Sequence, residues 1–422
     1  MLAATTIPIL YHIDSMFRRL LVLWLRWRAI GVVYLPASMA NLLLTEFASK
    51  FLVAHKNIIY KLKFIRYHFT LALGVVGYRR PLPKLEKIMD TTYHDIWSLT
   101  KNALLSNGCD DRNSSAVATT VASAEWTGSR SHGLFRVPGY IKSLRSRKVD
   151  GHASPEVTHP TPAIVSVDAN NGFAPLALEE GVEALTKVVS STGIAALMVR
   201  NSYHFAALWH ETFSLASRGY AALAVVCSTP LVAPFGSKKA FFGTNPISFA
   251  FPRKVEQPLV FDMATSTMAH GDVQIAAREG RQIPSDVGLS PSGSSTTDPN
   301  EVLDGILLPF GGYKGSLISL MVELIAAGFT GDNFSYEAEL GDNGDGGPAR
   351  GGEFIVAFAP EILAGPGWDE HCAAFFAEYA RQGDTYLPGE SKRRLADLRG
   401  TVTVDNEIYR TIRNLTQINN KK

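Results

Sequence analysis

Ser131-His132-Gly133-Leu134-Phe135-Arg136 is the stretch on which the reading of this chain turns. It sets a hydroxyl, an imidazole and a guanidinium within six positions, directly after Ser114 to Trp126, a run that reads as an amphipathic helix. Those groups are what the reduction of a carbonyl or imine beside a carboxylate requires: a proton donor for the heteroatom and a cation for the acid group. Alone, the stretch is weak evidence and reads more readily as a polar loop whose arginine lays its stem on apolar surface. Its meaning depends on what surrounds it.

Working outward, Tyr93 to Leu105 has helical spacing and ends at Asn107-Gly108, a helix stop. Asp110 or Asp111 can cap the helix that leads into the motif, and Val137 to Leu144 predicts another. Beyond it, strands and helices alternate. Strands are expected at Ala163 to Val167, Ile194 to Val199, Ala221 to Val226, Ile247 to Phe251, Leu259 to Phe261 and Phe354 to Phe358. Helices are expected at Glu179 to Ser191, Ala206 to Arg218, Gly315 to Phe329 and Asp369 to Arg381. Asp332 to Gly352 is acidic and glycine-rich, which predicts a surface loop. The fold class is α/β, with α and β elements mixed.

The 422 residues, 46% hydrophobic and 19% charged, allow several domains around a large core. A net charge of +2 carries no instruction towards nucleic acid. Cys109, Cys227 and Cys372 form no Cys-x-x-Cys, which excludes a cysteine zinc site and a disulfide framework and suits a reducing compartment. No metal site is expected. Residues 1–88 differ from the rest: they are basic and apolar, with only Asp14 and Glu46 as acids before Lys84. The charge-free run Ile30 to Leu44 is short for a membrane span and is broken by Pro36. Three readings stand for this extension: a signal anchor, an amphipathic transit peptide, or upstream sequence included by a wrong start codon ahead of Met89. Without such a targeting segment the expected compartment is the cytoplasm, and a membrane is not an expected partner.

The chain lacks Gly-x-Gly-x-x-Gly between strand and helix, and lacks a Walker loop, since Gly311-Gly312-Tyr313-Lys314-Gly315-Ser316 carries its lysine one step early. It also lacks His-Glu-x-x-His and Gly-x-Ser-x-Gly. Four polar or glycine-rich segments remain. Asn201-Ser202-Tyr203-His204-Phe205 lies between a strand and a helix, a place that turns side chains and free amides into a cleft; His204 also reads as a capping or packed residue. Gly243-Thr244-Asn245-Pro246 is a tight turn before a strand, and turn chemistry alone accounts for it too. Asp262-Met263-Ala264-Thr265-Ser266 ends an apolar strand. Its aspartate can brace an imidazole or cap the following helix. Gly311 to Gly315 opens an apolar helix whose amides, with Lys314, suit phosphate or ribose oxygens, or form a flexible entry loop.

Taken together, residues from about Tyr93 to about Leu398 resemble the malate/L-lactate dehydrogenase-type oxidoreductases, a family without a Rossmann fold. The motifs that carry the resemblance are Ser131-His132-Gly133 with Arg136 and Pro138-Gly139-Tyr140, Asp168-Ala169 with Asn171-Gly172-Phe173-Ala174, and Asn201-Ser202 with His204-Phe205. They continue through Gly243 to Pro246, Asp262 to Ser266, Gly312-Tyr313-Lys314-Gly315 and Pro388-Gly389-Glu390. His204 to Trp209 and Met268 to Arg278 are similar to one branch, the bacterial Δ1-piperideine-2-carboxylate/Δ1-pyrroline-2-carboxylate reductases.

The resemblance implies a non-Rossmann NAD(P)-binding domain with a large mixed or antiparallel sheet, at about 166–310. It implies a helical N-terminal part at 89–165 and a C-terminal part at 311–422 packing back on the substrate side. The implied reaction is NADPH-dependent reduction of a cyclic imino acid to L-pipecolate or L-proline, with NADH the alternative cofactor, by a homodimer. Carried over residue by residue, Ser131, His132 and Asp262 match the catalytic relay and Arg136 the substrate carboxylate site, with Thr229 as a further substrate contact. His204, Phe205, Ser228, Asp262, Met263, Ala264, Lys314, Pro388, Gly389 and Glu390 match segments that line the cofactor. Three departures touch the substrate rather than the reaction type. Pro230 stands where the branch has threonine, Tyr313 where it has histidine, and 332–352 lacks its Pro-Trp-Thr-Gly stretch. A 2-oxo-acid or 2-hydroxy-acid dehydrogenase using the same residues is the competing expectation. A non-catalytic, membrane-tethered homologue is the third.

Overall fold

The structure is a computed structural model that describes residues 88–203, 206–383 and 385–416. The expectations for residues 1–87 therefore lie outside the described residues. Strands of four or more residues and helices of nine or more are labelled in chain order.

A helical layer carries the Ser-His segment. Strand β1 (Ile88–Thr91) leads into helices α1 (Tyr93–Leu105), α2 (Asp111–Trp126) and α3 (Val137–Arg145). Thr92 and Asp95 form a reciprocal capping box on α1. Asp110 caps α2, accepting from the Asn113 amide at 2.8 Å. Ile96, Leu104, Val117, Val121, Val137 and Ile141 recur at helical spacing and meet in one buried core. The chain returns to this layer at its far end. Strand β9 (Val402–Asp405) pairs antiparallel with β1, and α9 (Asn406–Thr416) buries Ile412 in the same core.

The second layer is a seven-stranded sheet. Its strands are β2 (Glu156–Thr161), β3 (Ile164–Asp168), β4 (Ile194–Tyr203), β5 (Ala221–Val226), β6 (Ile247–Phe251), β7 (Leu259–Met263) and β8 (Arg350–Phe358). The spatial order is β2-β3-β4-β8-β5-β6-β7. Only β3 and β4 are parallel; every other neighbouring pair is antiparallel. Helix α4 (Ala174–Thr192) is the crossover that a parallel pair needs. Its Ala177, Leu178, Leu185 and Val189 pack on Val165, Val167, Leu197, Val199 and Ile355, which alternate along their strands. On the other face Val225, Cys227 and Ile247 meet Val322 and Ala326. One parallel pair in seven strands is not the doubly wound parallel order of a Rossmann sheet.

The sheet crosses the boundaries expected at 165 and 310. β2 precedes the first, and β8, long after the second, lies in mid-sheet between β4 and β5. Helix α5 (Trp209–Ser217) packs against β5 and β6, and α6 (His270–Glu279), which periodicity did not single out, follows β7. Helix α7 (Tyr313–Glu323) widens into a π-turn over Leu324–Gly328. Asp332 to Gly352 is only partly the expected surface loop. Its Asp332 is buried, it contains a helical turn at Ser335–Leu340, and Lys148 pins it through Asp342 (3.1 Å) and Asp345 (2.6 Å). The acids that signalled solvent serve as partners of a nearly buried ammonium. Beyond it lies α8 (Trp368–Arg381). Among the described residues, no helix is long and apolar enough to cross a membrane.

Candidate active site

The Ser-His segment folds as two short 3-10 turns, Arg130–His132 and Leu134–Arg136, joined at Gly133. Glu125, from the last turn of α2, stands behind the joint and accepts the Leu134 amide at 2.9 Å. A Cβ on Gly133 would lie 2.5 Å from Glu125 Oε1, so only glycine lets the carboxyl approach. Burial pushes Glu125 up to about 7, against the pull of the Leu134 amide.

Ser131 is buried, and its hydroxyl lies 3.2 Å from His132 Nδ1. Arg136 folds back on the same turn. Its Nε donates to the Ser131 carbonyl at 2.7 Å, and Nη1 reaches Gln274 Oε1 on α6 at 3.4 Å. Burial draws this guanidinium down to about 10, while Tyr140 and Asp272 act to raise it, so it stays charged at neutral pH. The first turn of α6 closes over it. A Cβ on Gly271 would sit 2.7 Å from Arg136 Nη2 and 2.8 Å from Ser131 Cβ. Beside it, burial and then the Arg136 charge push His270 down to about 4, leaving a neutral imidazole next to a fixed cation.

Asp262 sits in β7, and its Oδ2 accepts the Trp209 amide at 3.0 Å. It therefore caps α5 rather than the segment that follows it. Burial pushes its carboxyl up to about 6, opposed by the Trp209 amide and by Lys392. The described hydrogen bonds of this carboxylate come from the start of α5, not from His132. Glu211 and Glu353 are buried in the same neighbourhood; Glu353 is pushed well above the carboxylate range by burial, then by Glu211 and Asp262.

Three distant motifs converge beside Asp262. The Thr265 amide donates to the Thr244 carbonyl at 2.8 Å, and the Phe310 amide to the Thr265 carbonyl at 3.0 Å. Asn245 Nδ2 donates to the Ser319 carbonyl (3.1 Å) and to Glu323 Oε1 (2.8 Å). Gly243 packs against Ser228, where a Cβ would be 2.9 Å from its amide and hydroxyl. Asn245 is wholly buried at φ 39°, and its Oδ1 has no hydrogen-bond partner among the described residues. Gly311 and Gly312, at φ 56° and 59°, open α7, where Lys314 is exposed at the helix N-terminus. An orphaned amide oxygen, a glycine cradle and a helix N-terminus with a lysine suit the amide, ribose and phosphate groups of a nicotinamide dinucleotide. Met263, 45% exposed, and Ala264 lie in the same wall.

Other expected residues fall elsewhere. Gly389, at φ 106°, packs on β7, where a Cβ would be 2.9 Å from the Val260 amide. Pro388-Gly389-Glu390 is thus a strap over the Asp262 strand. Thr229 follows Ser228 half-buried, and no described contact joins it to Arg136. His204 and Phe205 lie outside the described residues. Asn201 and Ser202 do not offer free amides to a cleft. Asn201, at φ 53°, gives its amide to Asp332 (2.5 Å) and its side chain to Asp168 (2.8 Å) and accepts from Arg350; the Ser202 hydroxyl donates to the Gly351 carbonyl. Buried polar groups on a left-handed backbone take protein partners where water is excluded. Two cavities of about 840 and 620 Å³ lie away from Ser131, His132, Arg136 and Asp262. Residue patterns did not assign roles to Glu125, His270, Gln274 or Lys392. Met268 to Arg278 carried the only signal, as a branch match without a mechanism.

A hydroxyl–imidazole pair backed by a buried cation, on a sheet of non-Rossmann order, defines the class: an oxidoreductase that uses a nicotinamide cofactor. The chain belongs to the malate/L-lactate dehydrogenase family, whose sequence pattern matches residues 91–413. It is 41% identical over 330 residues to the Δ1-pyrroline-2-carboxylate/Δ1-piperideine-2-carboxylate reductase of Pseudomonas putida, covering 77% of this chain and 97% of that one. Its structure is similar to that of the Δ1-piperideine-2-carboxylate reductase of Pseudomonas syringae pv. tomato, with TM-score 0.74 and 39% identity, covering 78% of this chain and 99% of that one. The malate dehydrogenase of Entamoeba histolytica shares the fold at 22% identity, with TM-score 0.73, covering 80% and 99%.

Proposed function

We propose that this enzyme reduces a cyclic imino acid, Δ1-piperideine-2-carboxylate or Δ1-pyrroline-2-carboxylate, to L-pipecolate or L-proline with NADPH. One observation carries the reading. The proton-bearing pair Ser131–His132 and the cation Arg136 are locked to each other through the 2.7 Å bond from Arg136 Nε to the Ser131 carbonyl. A substrate with a carboxylate one bond from its C=N carbon offers an acid group to the guanidinium and a basic nitrogen to the imidazole. The 36–43% identity to reductases named for these imines supports it.

The nicotinamide, when bound, supplies the hydride that a protein side chain cannot. Arg136 takes the carboxylate and so orients the ring. His132 gives its proton to the imine nitrogen as C2 is reduced, and Ser131 holds the imidazole through Nδ1. Asp262 stabilises the resulting imidazole charge. Ser228, Met263, Ala264 and Lys314 line the cofactor, His204 and Phe205 join them by motif match alone, and Thr229 touches substrate. The free cysteines support a reducing compartment, the cytoplasm. Leu317, Leu320, Met321, Leu324 and Phe329 are exposed along α7 and the π-turn, an apolar stripe that supports a homodimer.

The test is NADPH oxidation with the two imines against pyruvate and oxaloacetate. The reading expects kcat/KM for an imine to exceed that for either oxo acid. Faster turnover of an oxo acid reassigns the chain to a 2-hydroxy-acid dehydrogenase. Absence of turnover with every substrate leaves a non-catalytic homologue.

A further inference from the structure

Lys392 is a nearly buried cation to which the mechanism above gives no task. It is 9% exposed. Its Nζ lies 3.2 Å from Ser129 Oγ, 3.5 Å from Thr127 Oγ1 and 4.0 Å from the centroid of the Trp209 ring. Two hydroxyls and a π-face thus meet an ammonium with three protons to place. Trp209 is also the residue whose amide donates to Asp262 at 3.0 Å. The ammonium and the carboxylate therefore grip one residue, the first by its ring and the second by its backbone.

The surroundings argue for more than packing. Three carboxyl groups converge here: Asp262 on β7, Glu211 on α5 and Glu353 on β8. Lys392 and Asp262 feel each other's charge, and Arg394 donates to the Trp126 carbonyl at 3.2 Å. Burying an ammonium is costly unless a charge answers it. Burial draws Lys392 down to about 8, and Asp262 pulls it back up. The strap that delivers it is Pro388-Gly389-Glu390, seated on β7. At its other end the ammonium holds Ser129, two residues before Ser131.

We propose that Lys392 is a positioning residue for the reduction. Its ammonium holds Asp262 as a carboxylate and ties it to the turn that carries Ser131 and His132. The proposal rests on Asp262 acting as the brace of His132. It also gives the Pro388-Gly389-Glu390 motif a purpose other than touching the cofactor.

The test compares wild type, Lys392→Met, which keeps the stem and removes the charge, and Lys392→Arg. The first readout is the titration of the Asp262 carboxyl by NMR in the full chain labelled with [4-¹³C]aspartate, assigned with Asp262→Asn. The second is the pH profile of kcat. Removing a neighbouring cation favours the protonated acid, so Lys392→Met moves the Asp262 midpoint upward, by about one pH unit, and lowers kcat about twofold at pH 7 and about fivefold at pH 6. Its acidic limb shifts the same way, KM for the cofactor stays within about twofold, and Lys392→Arg restores both readouts. A midpoint unmoved in Lys392→Met overturns the proposal, as does a moved midpoint with unchanged kcat. An arginine variant that behaves like the methionine variant overturns it too. If Lys392→Met does not fold, Ser129→Ala takes its place, with a smaller shift of the same sign expected and none overturning. The titration needs no substrate. A chain inactive on every imine overturns the proposed reaction, while the carboxyl midpoint still judges the grip of Lys392 on Asp262.

Discussion

Replacing Arg136 by methionine keeps its stem in the groove between the Ser131 turn and α6 but removes the guanidinium. In the structure that group spends Nε on the Ser131 carbonyl at 2.7 Å and reaches Gln274 through Nη1 at the long distance of 3.4 Å. The tight bond fixes the plane, and the long one is readily exchanged for a carboxylate oxygen. Hydrogen bonds to charged groups contribute about 1.5–3 kcal/mol each, so a bidentate pair is worth about 3–6 kcal/mol. At 1.4 kcal/mol per decade this is a loss of roughly 10²- to 10⁴-fold in kcat/KM for the imino acid. Arg136→Lys keeps the charge without the fork and should fall between. Steady-state kinetics with the imino acid and with a cyclic imine lacking the carboxylate separate binding from chemistry. The variant should lose its advantage only on the acid. A loss under about tenfold, or an equal loss on both substrates, refutes the assignment of Arg136 as the carboxylate ligand.

Gly271→Ala places a methyl 2.7 Å from Arg136 Nη2 and 2.8 Å from Ser131 Cβ. KM for the imino acid should rise at least about tenfold, with cofactor Kd within about twofold, as overpacking displaces the fork; an unchanged KM contradicts the placement of α6 over the guanidinium. Glu125 is held near 7 by burial, above its ordinary 4.5, so between those values the folded chain keeps a proton that the unfolded chain releases. Its contribution is fully present below about 4.5 and is lost as pH rises through 7, a loss of about 3 kcal/mol in all. Glu125→Gln removes that loss. Its Tm relative to wild type should climb from pH 5 to pH 8, and a flat difference refutes the buried, protonated carboxyl.

Much of the architecture was legible because it is written in local periodicity. Tyr93 to Leu105 and Ala221 to Val226 form where their apolar spacing places them. That the sheet takes strands from both sides of 165 and 310 was not legible, for a non-local reason. β8 reads as an ordinary strand, and nothing in its own residues says that it inserts between β4 and β5. α6 was not legible because its first turn is spent on Arg136 and Ser131 rather than on an apolar stripe. Within the site, the motifs marked Ser131, His132, Arg136 and Asp262. Glu125 and Lys392, buried near these candidates, went unseen because a charged residue in a sequence reads as solvent-facing until the fold buries it.

His132→Ala bears most directly on the central claim, that a single imidazole delivers the proton. The measurement is single-turnover NADPH oxidation with the imino acid, alongside cofactor Kd by fluorescence titration. Cofactor binding within about twofold of wild type, with turnover down at least about a hundredfold, is the expected result. Turnover within about threefold of wild type contradicts it and moves the proton source to another residue.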